Sequence, residues 1–325
     1  MMITKTQRHG LTPLTESALL AALTVVMAMI AVYIPVIGML ASLVWALPIV
    51  VLTVRHGLRQ GIMALLVSGL IMAMLIEPLL SLRMVLSFGL PGIVLGVCFQ
   101  REYGGAKTLG ITMASSVAAK IMSLMIVLAV TGLNPLSMSV DALKESFDMT
   151  FSIYSGLGAD EAALNATKED MDESVKMFSL LMPLVIVLMG AVDTTVNYVV
   201  AGRVMKRLGH FAPTLPPFIE WRLPIFFLYL FAFSLIGLYW GTTREIASLY
   251  QASLNCYMLT VFAGLLQGFS LVYYVADRFN LGTFWLVLIT LVILLSGILT
   301  QVLSFTGLFD MFFDYRRRFG GGTGR

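Results

Sequence analysis

The sequence is poor in charged residues. Only 12% of its 325 residues are Asp, Glu, Lys or Arg. A soluble domain usually has about 25%. Hydrophobic residues make up 58% of the chain, and apolar runs recur along it. A run of about 18 apolar residues or more can cross a hydrocarbon core roughly 30 Å thick. The composition therefore excludes a soluble globular protein and predicts an all-α, polytopic transmembrane helical bundle that sits in the lipid bilayer.

The sequence also lacks the residue patterns that catalytic and metal sites need. Cys98 and Cys256 both lie in apolar segments and form no disulfide framework. His9, His56 and His210 all fall in polar connections, and no Cys/His cluster has metal-ligand spacing. There is no P-loop, HExxH or GxSxG motif. We therefore expect no enzyme, no catalytic residue, no metal, no cofactor and no nucleic-acid partner.

About nine apolar segments are long enough to span a membrane at roughly 1.5 Å per residue. They lie at about 16–34, 36–54, 61–77, 80–99, 107–132, 177–202, 223–241, 252–275 and 282–309. The chain divides accordingly into spans one to five (1–132), an acidic extracytoplasmic insertion (133–176), span six (177–202), a Pro-rich basic connector (203–222) and a C-terminal block of about three helices with a basic tail (223–325).

The orientation follows from the short basic connections, because Lys and Arg favour the cytoplasmic side. Four such connections fall on one side through span six, namely those with Lys5 and Arg8, with Arg55 and Arg59, with Arg101 and Lys107, and with Arg203, Lys206, Arg207 and Arg222. This pattern predicts a cytoplasmic N-terminus in a bacterial cytoplasmic membrane. Nine spans would place the tail "DYRRRFGGGTGR" outside, against the rule. A turn near Gly297 would restore the parity, but the roughly 30 residues of 282–313 give only about 45 Å of helix, too short for two full crossings. A re-entrant element elsewhere would also restore it, so we keep nine spans and leave the side of the C-terminus open.

The 133–176 insertion has nine acidic residues and three lysines, which give a net charge of −6. Leu143, Phe147 and Phe151 recur at helical spacing, with charged residues opposite them. We predict that 139–154 is an amphipathic helix, either on the outer membrane surface or packed on its own protein. The polar, acidic stretch that follows is predicted to be mobile.

Two spans carry ionisable residues in apolar surroundings. Lys120 shares a polar helix face with Ser116 in span five, and Asp193 shares one with Asn197 in span six. Charges within a membrane are costly, so each needs a partner or a function. We predict that Lys120, Asp193 and Asn197 form a buried polar set. It either fixes the register of two helices or serves as a solute or proton site.

Two further sets of candidate residues lie near the ends of spans. Glu77 ends span three and Arg83 begins span four, so they are candidate ligand contacts at an outer mouth. Arg83 pairing with Glu77, or reaching the lipid headgroups, is the alternative. Ala18 and Ala22 lie one turn apart on the first span, and small residues there allow a close approach by another helix. That helix belongs either to this chain or to a second membrane protein.

The stretch "LTESALLAALTVVMAMIAVYIPVIGML", followed by "LPIVVLTVRHGLRQGIMALLVSGLI", resembles the S components of energy-coupling factor vitamin transporters. Ala18, Ala22, Pro35 and Gly61 stand where those proteins have an alanine-rich first helix, a Pro-bearing outer turn and a glycine-marked third helix. The resemblance implies a six-helix N-terminal block and a coupling face at Ala18 and Ala22. The acidic insertion and the tail "GLFDMFFDYRRR" make the full length look more like the YybS-like family of bacterial membrane proteins.

These observations predict a membrane protein that binds or transports a small solute entering between spans one to six. The alternative is a non-transporting scaffold or regulator that recruits a second membrane protein through the first span. An outward-opening cavity lined by polar groups would favour the solute, and a dry bundle would favour the scaffold.

Overall fold

The computed structural model describes residues 13–157 and 161–320. Within those ranges the chain is helical with no strand, which confirms the all-α prediction. The helices are α1 (Pro13–Tyr33), α2 (Ile37–Val44), α3 (Leu47–His56), α4 (Leu58–Leu75), α5 (Pro78–Met84), α6 (Leu90–Gln100), α7 (Gly105–Thr131), α8 (Pro135–Gly156), α9 (Glu161–Leu180), α10 (Met182–Arg207), α11 (Phe226–Thr243), α12 (Ala247–Arg278), α13 (Thr283–Leu295), α14 (Gly297–Phe313) and α15 (Tyr315–Gly320). A π turn, Val85–Gly89, separates α5 from α6.

Eight helical segments of the described chain are long and apolar enough to cross a membrane, and α2–α3 and α5–α6 each count as one of them. The helices α13 and α14 would make a ninth, but they are bent by 106° at their break. The prediction of a polytopic bundle with about nine spans is therefore confirmed, with the last predicted span broken in two.

The chain divides into two compact units. Unit 1 comprises residues 1–139 and 186–215, and unit 2 comprises residues 140–185 and 216–325. Each unit is a bundle of packed helices, and each has its own buried polar groups.

Unit 1 packs around the α2–α3 segment. Trp45 is fully buried, and its indole N–H donates to the carbonyl of Thr24 on α1 at 3.0 Å. Thr53 on α3 faces two glycines, Gly61 on α4 and Gly96 on α6. A Cβ added at Gly61 would overlap the Thr53 hydroxyl, and one added at Gly96 would lie 2.6 Å from the Thr53 Cβ. The glycines therefore let three helix backbones approach closely, which supplies van der Waals contact where lipid offers no hydrophobic driving force.

In unit 2, glycines also allow close packing of helices, at two helix contacts. Gly237 on α11 packs on Ser253 of α12. On α14, Gly307 lies against the backbone of Gly264 and Gly268 of α12, so that an added Cβ would overlap the Gly264 carbonyl. The close approach of α14 to α12 explains how a bent, short helix is held within the bundle.

The acidic insertion forms two helices. Helix α8 covers the predicted 139–154, and Leu143, Phe147 and Phe151 are its partly buried stripe while the residues beside them are exposed. The stretch that follows it, which was predicted to be mobile, is helical from Glu161 onward, where α9 begins and runs to Leu180. An ion pair of 3.0 Å between Lys168 and Asp148 ties α9 to α8, and Asp148 raises the pKa of Lys168.

The break between α9 and α10 is filled by an amide side chain. Pro183 has no N–H, and the ordinary bond from the N–H of Leu184 to the carbonyl of Leu180 is replaced. The Asn255 amide accepts from the N–H of Leu184 at 2.8 Å and donates to the carbonyl of Leu180 at 2.8 Å. Asn255 therefore satisfies both backbone groups that the break exposes.

The bent pair α13–α14 returns to the end of α12 from which it starts. Helix α13 begins five residues after α12 ends and has 13 residues, or roughly 20 Å of helix, which is too short to cross alone. After α14, Asp314 pairs with Arg222 at 2.9 Å, and Arg316 donates to Ser270 of α12 at 2.8 Å. The bent pair α13–α14 therefore begins and ends near the same end of α12.

Candidate functional site

The structure brings Lys120 and Asp193 together inside unit 1. The Nζ atom of Lys120 on α7 lies 3.1 Å from Oδ2 of Asp193 on α10, and the two side chains are only 10% and 5% exposed. Ser116, one turn before Lys120, accepts from Nζ at 3.1 Å and donates to Asp193 at 3.3 Å. The Asn197 amide donates to Asp193 Oδ1 at 3.0 Å and to the carbonyl of Leu43 at 2.8 Å. The set therefore links α7 and α10 to the α2–α3 segment.

Lys120 also reaches the π turn between α5 and α6. Its ammonium donates to the carbonyl of Ser87 at 3.4 Å and lies 4.9 Å from the ring centroid of Phe88. The Ser87 carbonyl is available because Pro91, four residues later, has no N–H to donate in an α-helical bond. Pro91 indicates in the sequence that a nearby backbone carbonyl lacks its helical donor. No feature of the sequence predicts that Lys120 would bond to that carbonyl.

Three buried polar atoms on α7 and α10 have no hydrogen-bond partner of ordinary geometry within the described residues, although the Thr112 hydroxyl lies beside the Cys98 thiol. They are the hydroxyl oxygens of Thr112 and Thr194 and the Oδ1 atom of Asn197. Thr112 lies one turn before Ser116 on α7. On α10, Thr194 directly follows Asp193, and Asn197 lies one turn after it. Buried polar atoms are nearly always bonded, so the set has capacity for a further polar group. Two hydroxyls can donate or accept, and the amide oxygen can accept.

Glu77 and Arg83 do not form a pair in the part of the chain that the structure describes. Both are exposed, with Glu77 at the start of α5 and Arg83 in its last turn. No ion pair joins them within the described residues, although the sequence allowed for one. Their exposure leaves them accessible to a ligand or to lipid headgroups.

The small face of the first span divides between surface and core. Ala18 and Ala22 are exposed, whereas Ala21 is buried together with Val25 and Ala28. Ala18 and Ala21 line an open apolar groove of about 540 Å³ that α1 forms with α4, whose Met63 contributes to the opposite wall. Ala21, Val25 and Ala28 therefore pack against other helices of this chain. Ala18 and Ala22, the predicted coupling residues, stay at the surface.

Sequence reasoning missed a charged cluster in unit 1. Glu16 in the first turn of α1 pairs with Arg55, and its other oxygen lies 2.9 Å from Nε2 of His56. Arg55 and His56 are the last residues of α3, where basic side chains also interact favourably with the helix dipole. The basic loop was visible in the sequence, but its carboxylate partner lies 40 residues away.

A second missed cluster lies in unit 2. Asp310 on α14 accepts from the Gln267 amide at 2.7 Å and lies 3.8 Å from Nε of Arg316. The Arg316 guanidinium also donates to the backbone carbonyl of Ile219 and to Ser270. Burial lowers the pKa of Arg316, while the charge of Asp310 opposes that shift. The cluster ties the Pro-rich connector to the C-terminal helices of unit 2.

The fold and these sites define a polytopic helical membrane protein with ionisable groups buried inside its bundles. The chain belongs to the family described as "Predicted membrane protein (DUF2232)", whose model matches residues 22–311. It is similar to "Uncharacterized protein YybS" of Bacillus subtilis (strain 168), with 24% identity over 312 residues that cover 94% of this chain and 97% of that protein. These matches confirm the resemblance to the YybS-like family. No solved structure matches the chain. Neither match bears on the resemblance to S components, which stays a prediction.

Proposed function

We propose that this multi-pass protein of the bacterial cytoplasmic membrane binds a small polar solute inside unit 1, in the manner of an S component, as a step in transport and without catalysis. The observation that supports this proposal is the set of unpartnered buried polar atoms on α7 and α10, the two helices that carry the Lys120–Asp193 pair. Leaving a buried polar group without a partner costs about 1–3 kcal/mol. A solute that bonds to these atoms would recover that free energy on binding.

The charges of the site limit the solute class. Lys120 and Asp193 neutralise each other, and the three unpartnered atoms belong to two hydroxyls and one amide oxygen. A neutral solute with both hydrogen-bond donors and acceptors matches this set better than an ion does. The competing explanation is that the ion pair only fixes the register of α7 and α10.

Valine variants at Thr112 and Thr194 distinguish these two explanations, because they remove the unpartnered hydroxyls and leave the ion pair in place. We expect the Thr112→Val/Thr194→Val double variant to be as stable as the wild type or more so, since an unsatisfied hydroxyl is removed. Purified wild-type protein should gain thermal stability from a compound in a library of vitamins, nucleobases and amino acids, and the variant should lose that gain. A solute present at 100 times its Kd stabilises by about 2.7 kcal/mol.

The exposed Thr195→Val on α10 provides a control for the chemical change. Absence of any stabilising compound would contradict the proposal. So would an unchanged response of the double variant to the compound that stabilises the wild type.

A second candidate function is recruitment of another membrane protein through α1, and the apolar groove beside Ala18 favours it. Replacing Ala18 and Ala22 together by Leu should leave the melting temperature unchanged and remove a co-purifying membrane protein. Val26→Leu, an exposed position on the same helix, is the matched control. A fall in melting temperature for the double variant would mean that these alanines pack internally.

We also propose that both ends of the chain face the cytoplasm. Eight crossing segments give an even count, and the bent pair α13–α14 returns to the end of α12 that it leaves. This topology places the basic tail on the cytoplasmic side, as the distribution of Lys and Arg favours.

A further inference from the structure

Unit 2 contains two neighbouring cavities of opposite character. The first is an open polar cleft of about 640 Å³ between the connector, α12 and the start of α15. Its charged lining consists of Arg222, Arg316, Arg317, Glu220 and Asp314. Three positive and two negative side chains leave this lining with a formal charge of +1.

The second cavity is an apolar groove of about 400 Å³ among α12, α13 and α14. Consecutive residues line the two cavities at two places. On α12, Tyr274 lines the cleft and Val275 lines the groove, and on α15 Arg316 lines the cleft and Tyr315 lines the groove. An amphipathic molecule with one charged end and one apolar end fits such a pair of sites.

The arginines of the cleft differ in burial and in hydrogen bonding. Arg316 is 4% exposed and is held by Ser270, by the carbonyl of Ile219 and by Asp310, so it has a structural role. Arg222 has a 60% exposed side chain, and one of its nitrogens pairs with Asp314. A guanidinium has five N–H donors, so Arg222 keeps donors for a second acceptor. Arg317 is exposed at the same cleft.

The cleft also lies where a lipid headgroup is expected. Trp221, beside Arg222, keeps its indole N–H bonded to the connector carbonyl of Pro216, and the apolar helix α11 begins a few residues later at Phe226. Tryptophan and arginine at the start of a span are typical of the membrane–water interface. Basic pockets between helices on the cytoplasmic side bind anionic lipid headgroups.

We propose that unit 2 binds an anionic phospholipid, with its phosphate between Arg222 and Arg317 and an acyl chain in the apolar groove. The phosphate would accept from the Arg222 donors that Asp314 does not use. This site is separate from the solute site proposed in unit 1 and does not depend on it.

The test uses the full-length protein in detergent, with native mass spectrometry of lipid that is added back. The probes are phosphatidylglycerol, phosphatidylcholine and inorganic phosphate. The variants are the double change Arg222→Gln/Arg317→Gln, which removes the headgroup contacts, and Val272→Trp, which fills the apolar groove. Arg244→Gln is the control, because Arg244 is an exposed arginine of unit 2 at the other end of α11.

We expect phosphatidylglycerol to bind the wild type and the Arg244→Gln control with the same affinity. The arginine double variant should bind it roughly thirty-fold more weakly, since each arginine near an anionic headgroup should contribute about five-fold in affinity. Val272→Trp should also lose the lipid while keeping its helical content.

Three outcomes would overturn the proposal. One is equal binding of phosphatidylcholine and phosphatidylglycerol, which would indicate an apolar site only. Another is inorganic phosphate displacing phosphatidylglycerol at equal concentration, which would indicate a free-phosphate site. The third is wild-type affinity in both variants.

Discussion

The Nζ atom of Lys120 lies 3.4 Å from the carbonyl oxygen of Ser87, within a π turn that precedes Pro91. The same nitrogen pairs with Asp193 at 3.1 Å. A proline in one helix thus frees a backbone acceptor for a buried lysine in another. π turns within α-helices occur frequently at functional sites. The three-way contact places the only described lysine buried within a span at the meeting point of three helical segments.

The Lys120–Asp193 pair should behave as a coupled unit in unfolding experiments. Lys120→Met or Asp193→Leu alone should each cost about 3–5 kcal/mol, because each leaves one buried charge without its partner. The double variant should be more stable than either single variant, as measured by thermal unfolding in detergent. The matching cycle at the exposed Lys168–Asp148 pair should show a much weaker coupling, because water screens that pair. A double variant whose loss of stability equals the sum of the two single losses would rule out coupling.

The glycine contact between α12 and α14 should not tolerate a methyl group. Gly307→Ala should destabilise by about 1–3 kcal/mol, because the new Cβ overlaps the Gly264 carbonyl. Gly297→Ala on the same helix is the control, since no atom lies within 4 Å of its added Cβ. Thermal unfolding of both variants provides the comparison. Similar melting temperatures for the two variants would contradict the close packing.

The amphipathic stripe of α8 should appear in chemical labelling. In a background with both native cysteines replaced by Ser, cysteines at Leu143, Phe147 and Phe151 should react slowly with a polar maleimide. Cysteines at Lys144 and Met149 should react quickly, because those positions are exposed. Equal rates along the helix would mean that the stripe is not covered.

The C-terminal side of the membrane can be measured directly. A reporter fused after residue 320 should report the same side as one fused at residue 209 in the connector, and the opposite side from one fused at residue 157. The reason is that α13–α14 returns to the end of α12. A reporter at the C-terminus on the outer side would instead make the bent pair a crossing span.

The spans and the buried pair were predictable from sequence because their signals are local. A long apolar window predicts a crossing helix, and a charged residue inside it needs a partner. The outcome at α1 was not predictable. Ala18 and Ala21 have the same side chain, and only the position of α4 decides that Ala21 is buried.

Two other polar contacts between residues distant in the chain could not be predicted from the sequence. Asn255 fills a helix break 71 residues away, and Arg316 bonds to a connector carbonyl 97 residues away. The helix α9 was missed for another reason. Its sequence is acidic and has little apolar content, yet it forms a helix that is tied to α8 through Lys168 and Asp148.

The most direct test of the central claim is calorimetric titration of the solute that stabilises the protein most, into wild-type protein and into Thr112→Val/Thr194→Val. The account predicts one bound solute per wild-type chain. It also predicts roughly tenfold weaker binding or worse in the variant, since each lost hydrogen bond contributes about 0.5–1.5 kcal/mol. The variant's melting temperature without solute should not fall. Equal affinities for the two proteins would contradict the claim that these buried polar atoms form a solute site.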